Sequence, residues 1–413
     1  MILSYIPPQF RVIILKFLDI FSRGLFVLIG TYGLQVVEAG QFGLLVTLIS
    51  VFGFVFGFER QFDLQRSMVG KSGEEIQLQV IRTLRFYFLN YVFLTPVFCC
   101  VLFFLLKLSP VLVACAAVIV VAEHIIQQSY ILILVDGQYK PLLLSAIIKN
   151  VGVLIAVFLQ FSTSHHLSLD FIIKAWTCCA LVGVIFCVGI WRKLTSNIEF
   201  PGTQSHSLYD LVRQYRRSYI HFTIGAVALL ALQADRLIVG AMLQPVEIGV
   251  YFRNITLVSL AYQIFGIASY NRLSPSVYAQ APSMATRLVR RATQKEHLKI
   301  IAVCIPFFGV LWVLARHPSL DLLSRFHIDM EFQALFLLAF LLRTAGDLDG
   351  LLLNAKHMEK HLLRHQICAV LVGMTLSIVL TWQFGLLGTV VSSLCAPLVY
   401  WAANRKTLTI IED

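Results

Sequence analysis

The chain has 413 residues, of which 58% are hydrophobic and only 13% are charged, with a formal net charge of +11. Soluble domains carry about 25% charged and about 45–50% apolar residues, so this composition excludes an ordinary water-soluble enzyme. The excess of positive charge would also suit nucleic acid, but its placement along the chain indicates a membrane orientation instead, and we expect no nucleic-acid partner.

Long apolar runs divide the chain into about twelve predicted transmembrane helices. A hydrocarbon core of about 30 Å needs roughly 20 apolar residues per helix. The first six spans are predicted near 12–34, 40–58, 86–107, 111–134, 141–160 and 170–190, and the second six near 219–242, 248–270, 300–316, 332–355, 366–383 and 386–403. The count is eleven if the last two runs, which meet around Gly385, are misread. A polar segment joins the two sets, which predicts an N-terminal six-helix bundle, a cytoplasmic linker and a C-terminal six-helix bundle over 1–190, 191–218 and 219–413.

The basic residues give the orientation. With the N-terminus in the cytoplasm, 23 of the 33 Lys and Arg residues fall in cytoplasmic segments, three fall outside and seven lie within spans. This asymmetry is a strong positive-inside signal. Both termini are therefore predicted to be cytoplasmic.

Nine cysteines lie inside apolar runs, where they behave as small hydrophobic residues. Their spacing predicts neither a disulfide framework nor a zinc site. We expect no cofactor and no metal.

The two halves share a short internal repeat. The residues from Leu34 to Phe42 align without gaps to the residues from Leu243 to Tyr251, with the common pattern L-Q-x-V-E-x-G-x-[FY]. In each half this stretch is the outer turn between the first and second spans. The repeat predicts two bundles of the same topology, the arrangement of transporters that alternate between inward-open and outward-open states.

The second copy of this repeat also resembles a known family. The stretch Asp235-Arg236-Leu237-Ile238-Val239-Gly240, followed by the segment from Val246 to Tyr251, looks like the seventh-to-eighth helix region of polysaccharide-biosynthesis flippases. The twelve-span layout is similar to that of the O-antigen flippases in the multidrug/oligosaccharidyl-lipid/polysaccharide exporter superfamily. Drug-exporting relatives share this layout.

The resemblance implies a non-enzymatic flippase in the bacterial inner membrane that moves an undecaprenyl-diphosphate-linked oligosaccharide to the outer leaflet by alternating access. Its expected partners are that lipid-linked substrate, membrane lipid, a coupling proton or sodium ion, and other membrane proteins of glycan assembly. Two alternatives remain open: an ion-coupled exporter of small molecules, and a membrane glycan polymerase or ligase. The very short outer loops count against an enzyme.

Twelve charged residues within the spans are the sequence evidence for a polar pathway. A charge at the bilayer centre costs roughly 2.5–3.5 kcal/mol on the insertion scale, so most of these side chains must face each other or a watery cavity. Seven are basic and five are acidic: Lys16, Arg23, Lys149, Lys174, Arg236, Arg253 and Arg343; Asp19, Glu123, Asp235, Asp347 and Asp349.

Five of the basic residues are candidate ligands for an anionic headgroup. Arg23, Lys149 and Arg343 fall near mid-bilayer, where they either line a substrate cavity or form structural ion pairs. Lys174 and Arg253 lie near the outer ends of their spans and are also able to snorkel to the interface. Arg and Lys bind phosphates through charge-assisted hydrogen bonds.

Ion pairing within helices is the alternative use of these charges. Asp19 and Arg23 are four residues apart, as are Arg343 and Asp347, so each pair shares a helix face. If both pairs form, Lys149 is left as the unpaired central cation.

Acidic and histidine residues in the spans are candidates for ion coupling. Glu123 and His124 stand side by side in the fourth span, where a carboxylate and an imidazole are able to titrate during transport. Asp347 with Asp349 forms a second candidate set, and Asp19 and Asp235 are further candidates. The alternative for Glu123 and His124 is a hydrogen-bonded packing cluster.

Overall fold

The computed structural model describes residues 8–60, 73–136, 145, 147–164, 167–195, 208–280, 286–316 and 328–412. These residues are almost entirely helical and include no strand. The α-helices are α1 Pro8–Gly33, α2 Val36–Gly57, α3 Gly73–Leu106, α4 Pro110–Asp136, α5 Gly152–Ser164, α6 Leu169–Thr195, α7 Leu208–Met242, α8 Pro245–Ala261, α9 Ala268–Gln280, α10 Thr286–Arg316, α11 Met330–Ala355, α12 Glu359–Ser392 and α13 Cys395–Glu412. A π-helical turn, Ile147–Val151, precedes α5, and another, Tyr262–Ile267, joins α8 to α9.

The protein is an all-helical, multi-pass membrane protein. Seven helical segments of the described chain are long and apolar enough to cross a bilayer on these grounds alone. The described residues of each of the other predicted spans are also largely helical. A π turn precedes α5 in the fifth span and follows α8 in the eighth, and α1 and α11 carry several charged residues. Polar residues and π turns therefore lower the apolar signal in these spans.

The two last predicted spans are separate and antiparallel, although the helix α12 contains their junction. Gly385 has left-handed backbone angles, with φ 58° and ψ −136°. The hydroxyls of Thr381 and Thr389 lie 2.8 Å apart, whereas residues eight positions apart in a continuous helix are separated by about 12 Å. The chain thus reverses at Gly385, so the division into 366–383 and 386–403 is confirmed and the eleven-helix alternative is wrong.

The internal repeat is visible in the local structure. Helix α1 ends at Gly33 and α2 begins at Val36, while α7 ends at Met242 and α8 begins at Pro245, so the same offset relates both the ends and the starts. The residues before α2 and α8 are both glutamines with extended backbone, at φ −60°, ψ 157° and at φ −70°, ψ 151°. In the second copy, Glu247 accepts a hydrogen bond of 3.1 Å from the Gln244 backbone N–H, which satisfies a free donor at the helix start.

The chain divides into two compact units. Unit 1 comprises Met1–Gln35 and Leu44–Ala226, and unit 2 comprises Val36–Gly43 and Val227–Asp413. The main boundary lies within α7, because the first half of this helix belongs to unit 1. In unit 1, α4 packs chiefly on α6, and in unit 2 both α11 and α12 pack on α13.

Candidate functional site

Unit 1 holds a buried ion pair at the centre of its helices. Lys149 Nζ lies 3.0 Å from Glu123 Oε2, and the indole N–H of Trp176 donates to Glu123 Oε1 at 3.0 Å. The side chains of Lys149 and Glu123 are only 4% and 11% exposed. The positive charge of Arg23 acts electrostatically on the same carboxylate. We call Glu123, Lys149, Trp176 and Arg23 the Glu123 cluster.

Three helices and one π turn bring the Glu123 cluster together. Glu123 lies on α4, Trp176 on α6, Arg23 on α1, and Lys149 in the π turn Ile147–Val151. A π turn rotates the residues that follow it relative to an α-helix, and such turns are frequent at functional positions. The prediction of Lys149 as an unpaired cation is wrong, because Glu123, 26 residues earlier in the chain, neutralises it.

His124 enters a different network from its neighbour Glu123. Its Nδ1 lies 2.6 Å from the Tyr91 hydroxyl and its Nε2 lies 3.3 Å from the Gln128 side-chain nitrogen. Tyr87 in turn donates to Gln128 Oε1 at 2.7 Å. Successive residues on a helix point about 100° apart, so the structure does not bring Glu123 and His124 into one titrating set.

Unit 2 contains the predicted ion pair between Arg343 and Asp347. Arg343 Nε lies 3.0 Å from Asp347 Oδ1, which confirms the pairing that their spacing predicts. The Tyr262 hydroxyl donates to Asp347 Oδ2 at 2.7 Å. On its other side, the Arg343 guanidinium carbon lies 5.0 Å from the ring centre of Tyr400, within the range of a cation–π contact.

A cavity of about 210 Å³ lies beside this pair. Two guanidinium residues line it, Arg343 from α11 and Arg236 from α7. The wall also contains the carboxylate Asp235, aliphatic side chains, and neutral hydrogen-bonding and aromatic residues that include Gln233, Ser259, Tyr262, Gln263, Phe336 and Phe340. We call this space the Arg236–Arg343 cavity.

Arg236 is the cation that the sequence interpretation did not select. Its Nη2 donates to Ser259 Oγ at 2.8 Å, and among the described residues no carboxylate lies within salt-bridge distance of its side chain. Its Nε is buried without a hydrogen-bond partner in the same described part of the chain. The one signal in the sequence was its position beside Asp235 in the seventh span.

The carboxylates predicted for ion coupling occupy separate surroundings. Asp235 lines the Arg236–Arg343 cavity and accepts a hydrogen bond of 2.6 Å from the buried Tyr251 hydroxyl. Asp349 lies 3.8 Å from Arg405 and lines a different cavity. Asp347 and Asp349 therefore do not form one set, because residues two apart point to opposite sides of a helix.

The remaining predicted ligands are dispersed. Lys174 is exposed and pairs with Asp170 at 2.8 Å, four residues earlier on α6, which fits the snorkelling interpretation. Arg253 is 4% exposed and does not line the Arg236–Arg343 cavity. The side chain of Asp19 lies outside the described structure, so its predicted pairing with Arg23 stays a prediction.

The structure also shows how the side chains that are able to bind a metal ion are grouped. Within the described part of the chain, no three His, Cys, Asp or Glu side chains come together in a group that could hold a metal ion.

The overall architecture resembles solved membrane transporters. No family model and no curated protein matches the sequence. A structure of the lipid II flippase MurJ in an inward closed conformation is similar with a TM-score of 0.67 and 14% identity, over 98% of this chain and 89% of that chain. An inward-facing multidrug resistance MATE family transporter of the MOP superfamily gives a TM-score of 0.64 and 11% identity, over 96% and 95%. The Vibrio cholerae MATE transporter VcmN, solved as a point mutant, gives 0.51 and 12%, over 98% and 97%.

These likenesses define the fold. The chain has the architecture shared by a lipid flippase and by multidrug transporters of the MOP superfamily. At identities of 11–14% the resemblance carries no residue-level correspondence, so the substrate has to be argued from the side chains of this chain.

Proposed function

We propose that the protein is a flippase that moves an undecaprenyl-diphosphate-linked oligosaccharide from the cytoplasmic to the outer leaflet of the bacterial inner membrane by alternating access. The observation that carries the proposal is the Arg236–Arg343 cavity, where two guanidinium groups from different helices face one space. The proposal includes a non-enzymatic role, which is supported by the similar solved structures, because these are transporters.

The chemistry of the cavity suits a diphosphate. Arginine presents planar, permanently charged donors that match phosphate oxygens in bidentate geometry. Ser259 and Gln263 add neutral hydrogen-bonding groups for phosphate or sugar oxygens. A cavity of about 210 Å³ takes the charged headgroup, while the lipid tail stays in the membrane.

Several finer parts of the proposal rest on the sequence. Both termini face the cytoplasm, as the positive-inside pattern predicts. Transport is coupled to a proton or sodium ion, with Asp235 the carboxylate that lines the cavity. Membrane lipid and other membrane proteins of glycan assembly are the expected partners.

An ion-coupled exporter of small amphipathic molecules is the second candidate. The aromatic residues Tyr262, Phe336 and Phe340 in the cavity wall favour it, because such rings bind apolar and cationic compounds. Two arginines in the same wall repel cations, so an exporter with this cavity would select neutral or anionic molecules.

The test is a deletion strain complemented with variants, followed by analysis of surface glycan and of lipid-linked repeat units in each leaflet. We expect the deletion to accumulate repeat units on the cytoplasmic leaflet, and Arg236→Gln to do the same at normal protein levels. Lys174→Gln, which removes an exposed lysine outside the wall of the Arg236–Arg343 cavity, is the matched control and should complement fully. Normal glycan in the deletion strain would refute the flippase proposal, and complete units stranded on the outer leaflet would indicate a polymerase or ligase.

Arg343 needs a paired design, because its loss leaves Asp347 without its partner. The double variant Arg343→Gln/Asp347→Asn removes both charges. If Arg343 serves only to neutralise Asp347, the double variant regains the transport that Arg343→Gln loses. If Arg343 binds the headgroup, both variants stay inactive.

A further inference from the structure

Unit 2 has a second cavity, of about 430 Å³, between α10, α11 and α13. We call it the Trp401 groove. Its lining comprises a polar set and an apolar set: Thr293, Gln294, His297, Asp349 and Arg405; and Leu298, Ile301, Leu338, Leu341, Leu342, Ala345, Leu348 and Trp401. None of these residues belongs to the Arg236–Arg343 cavity.

The two sets occupy different depths of the predicted bilayer. Thr293, Gln294 and His297 precede the predicted span 300–316, and Arg405 follows the predicted span 386–403. Ile301 and Leu338 lie within their spans. The groove is therefore polar at the cytoplasmic interface and apolar toward the hydrocarbon, which is the polarity of a phospholipid.

The apolar half of the groove opens sideways. Leu338, within its predicted span, is 47% exposed, and Leu298, just before its predicted span, is 62% exposed. In a membrane Leu338 faces acyl chains and Leu298 lies where the hydrocarbon meets the interface, so a lipid chain enters the groove from the side.

Arg405 lies at the polar end of the Trp401 groove, where hydrogen bonds orient its side chain. It donates two hydrogen bonds of 2.8 Å to Gln294 Oε1, in the amide orientation that satisfies both groups. Its contact with Asp349 is longer, at 3.8 Å. Its side chain remains 36% exposed, so part of the guanidinium is available to an anion. Basic pockets between transmembrane helices on the cytoplasmic side are established sites for anionic lipid headgroups.

We propose that the Trp401 groove binds one glycerophospholipid of the cytoplasmic leaflet, with its phosphate on Arg405 and one acyl chain along Leu298, Ile301 and Leu338. Charge complementarity between Arg405 and the phosphate, at the depth where the groove changes from polar to apolar, selects this occupant over a second protein chain. This lipid site lies apart from the Arg236–Arg343 cavity, and the proposal does not depend on the identity of the transported substrate.

Trp401 supplies the readout, because brominated acyl chains quench a tryptophan that they contact. The full-length protein is reconstituted into vesicles that contain increasing mole fractions of brominated phosphatidylglycerol or of brominated diacylglycerol, which lacks the phosphate. Subtracting the signal of Trp401→Phe isolates Trp401 from the other four tryptophans. We expect half-maximal quenching of Trp401 at a roughly tenfold lower mole fraction of the phospholipid, the effect of one charge-assisted contact.

Variants connect this preference to the groove. Arg405→Gln should abolish the difference between the two lipids and Arg405→Lys should restore part of it. Lys406→Gln, which removes an exposed neighbouring charge on α13, should leave it unchanged. Ala345→Phe, which fills the apolar half without altering a charge, should reduce Trp401 quenching by both lipids. This variant keeps the proposal testable if Arg405→Gln fails to fold.

Three results would overturn the proposal. Equal quenching by the phospholipid and the diacylglycerol would mean that Arg405 does not bind the phosphate. Absence of any Trp401-dependent quenching would mean that no acyl chain enters the groove. Displacement of brominated phospholipid by a small amount of polyprenyl phosphate, but not by excess ordinary phospholipid, would assign the groove to a polyprenyl tail instead.

Discussion

The two units of the molecule differ in what surrounds the charged residues within their spans. In unit 1, both oxygens of Glu123 accept hydrogen bonds, from Lys149 and from Trp176, and the ion pair is almost fully buried. In unit 2, Arg343 also has a carboxylate partner, Asp347, but it lines a cavity together with Arg236, which has no carboxylate partner in the described chain. We call the Glu123 cluster closed, because its ion pair is buried among protein groups. We call the Arg236–Arg343 cavity open, because its two guanidinium groups line a cavity.

This difference shows that charge inside a membrane span does not by itself identify a binding site. In a buried pair the two charges neutralise each other and are not available to a ligand. A cation beside an empty space keeps its capacity for an external anion. Both units have a π turn at the ion pair. The turn Ile147–Val151 contains Lys149, and the turn Tyr262–Ile267 begins with the residue that donates to Asp347.

The largest effect is expected from opening the closed cluster. Lys149→Met removes the cation that is hydrogen-bonded to the buried Glu123 carboxylate, and removal of one partner of a buried pair costs about 3–5 kcal/mol. The double variant Glu123→Gln/Lys149→Met should recover most of that loss, because the new amide oxygen still accepts from Trp176. Unfolding in mixed micelles measures both free energies. A Lys149→Met protein that is stable but does not transport would place Lys149 in the substrate path and remove the contrast between the units.

The next effect concerns the open cavity. Arg236→Gln should leave stability almost unchanged, because no buried carboxylate loses its partner, and should weaken headgroup binding by about 1.5–3 kcal/mol, the value of a hydrogen bond to a charged group. Binding of inorganic diphosphate to the purified protein and transport in reconstituted vesicles measure this loss. Arg236→Lys should retain part of both activities. Unaltered diphosphate binding in Arg236→Gln would show that the cavity is not the headgroup site.

Much of the fold follows from the sequence. Apolar runs predict the helices, because the length of a span is fixed by the thickness of the bilayer. The repeat around Leu34 and Leu243 predicts equivalent turns because the two copies share their capping residues. The reversal of the chain at Gly385 was also predictable from the sequence, because a glycine between two apolar runs permits backbone angles that other residues avoid.

The candidate site was only partly predictable. The pair Arg343 and Asp347 is local, so helix geometry alone is sufficient to propose it. The ion pair of Lys149 with Glu123 joins different elements and depends on a π turn. No residue type in that segment predicts such a turn. Arg236 was not selected because, apart from its position beside Asp235, nothing in the sequence distinguishes it from the other charges within the spans, and the structure shows that Asp235 accepts from Tyr251.

A smaller effect is expected at the support of the open cavity. Tyr262→Phe removes the hydrogen bond of 2.7 Å to Asp347, worth about 0.5–1.5 kcal/mol, and frees Asp347 to hold Arg343 more tightly. Diphosphate affinity should therefore fall a few-fold. Tyr278→Phe, which removes a hydroxyl that accepts a hydrogen bond of 2.8 Å from Asn354 outside the wall of the Arg236–Arg343 cavity, is the matched control for stability. A loss of affinity in Tyr278→Phe as large as in Tyr262→Phe would show that the effect is general loosening of unit 2.

The smallest effect isolates burial from charge within unit 1. Lys174 and Asp170 form an ion pair of 2.8 Å on α6, shorter than the 3.0 Å pair of Lys149 and Glu123, but both of its side chains are about half exposed, at 52% and 53%. Because solvent screens such pairs and helix pairs four apart contribute only about 0.3–0.5 kcal/mol, Lys174→Met should barely change the free energy of unfolding in mixed micelles. The same lysine-to-methionine substitution then gives results about tenfold apart at two sites of one bundle. If Lys174→Met were as damaging as Lys149→Met, the charge of the bundle as a whole, and not the closure of the Glu123 cluster, would be what stabilises unit 1.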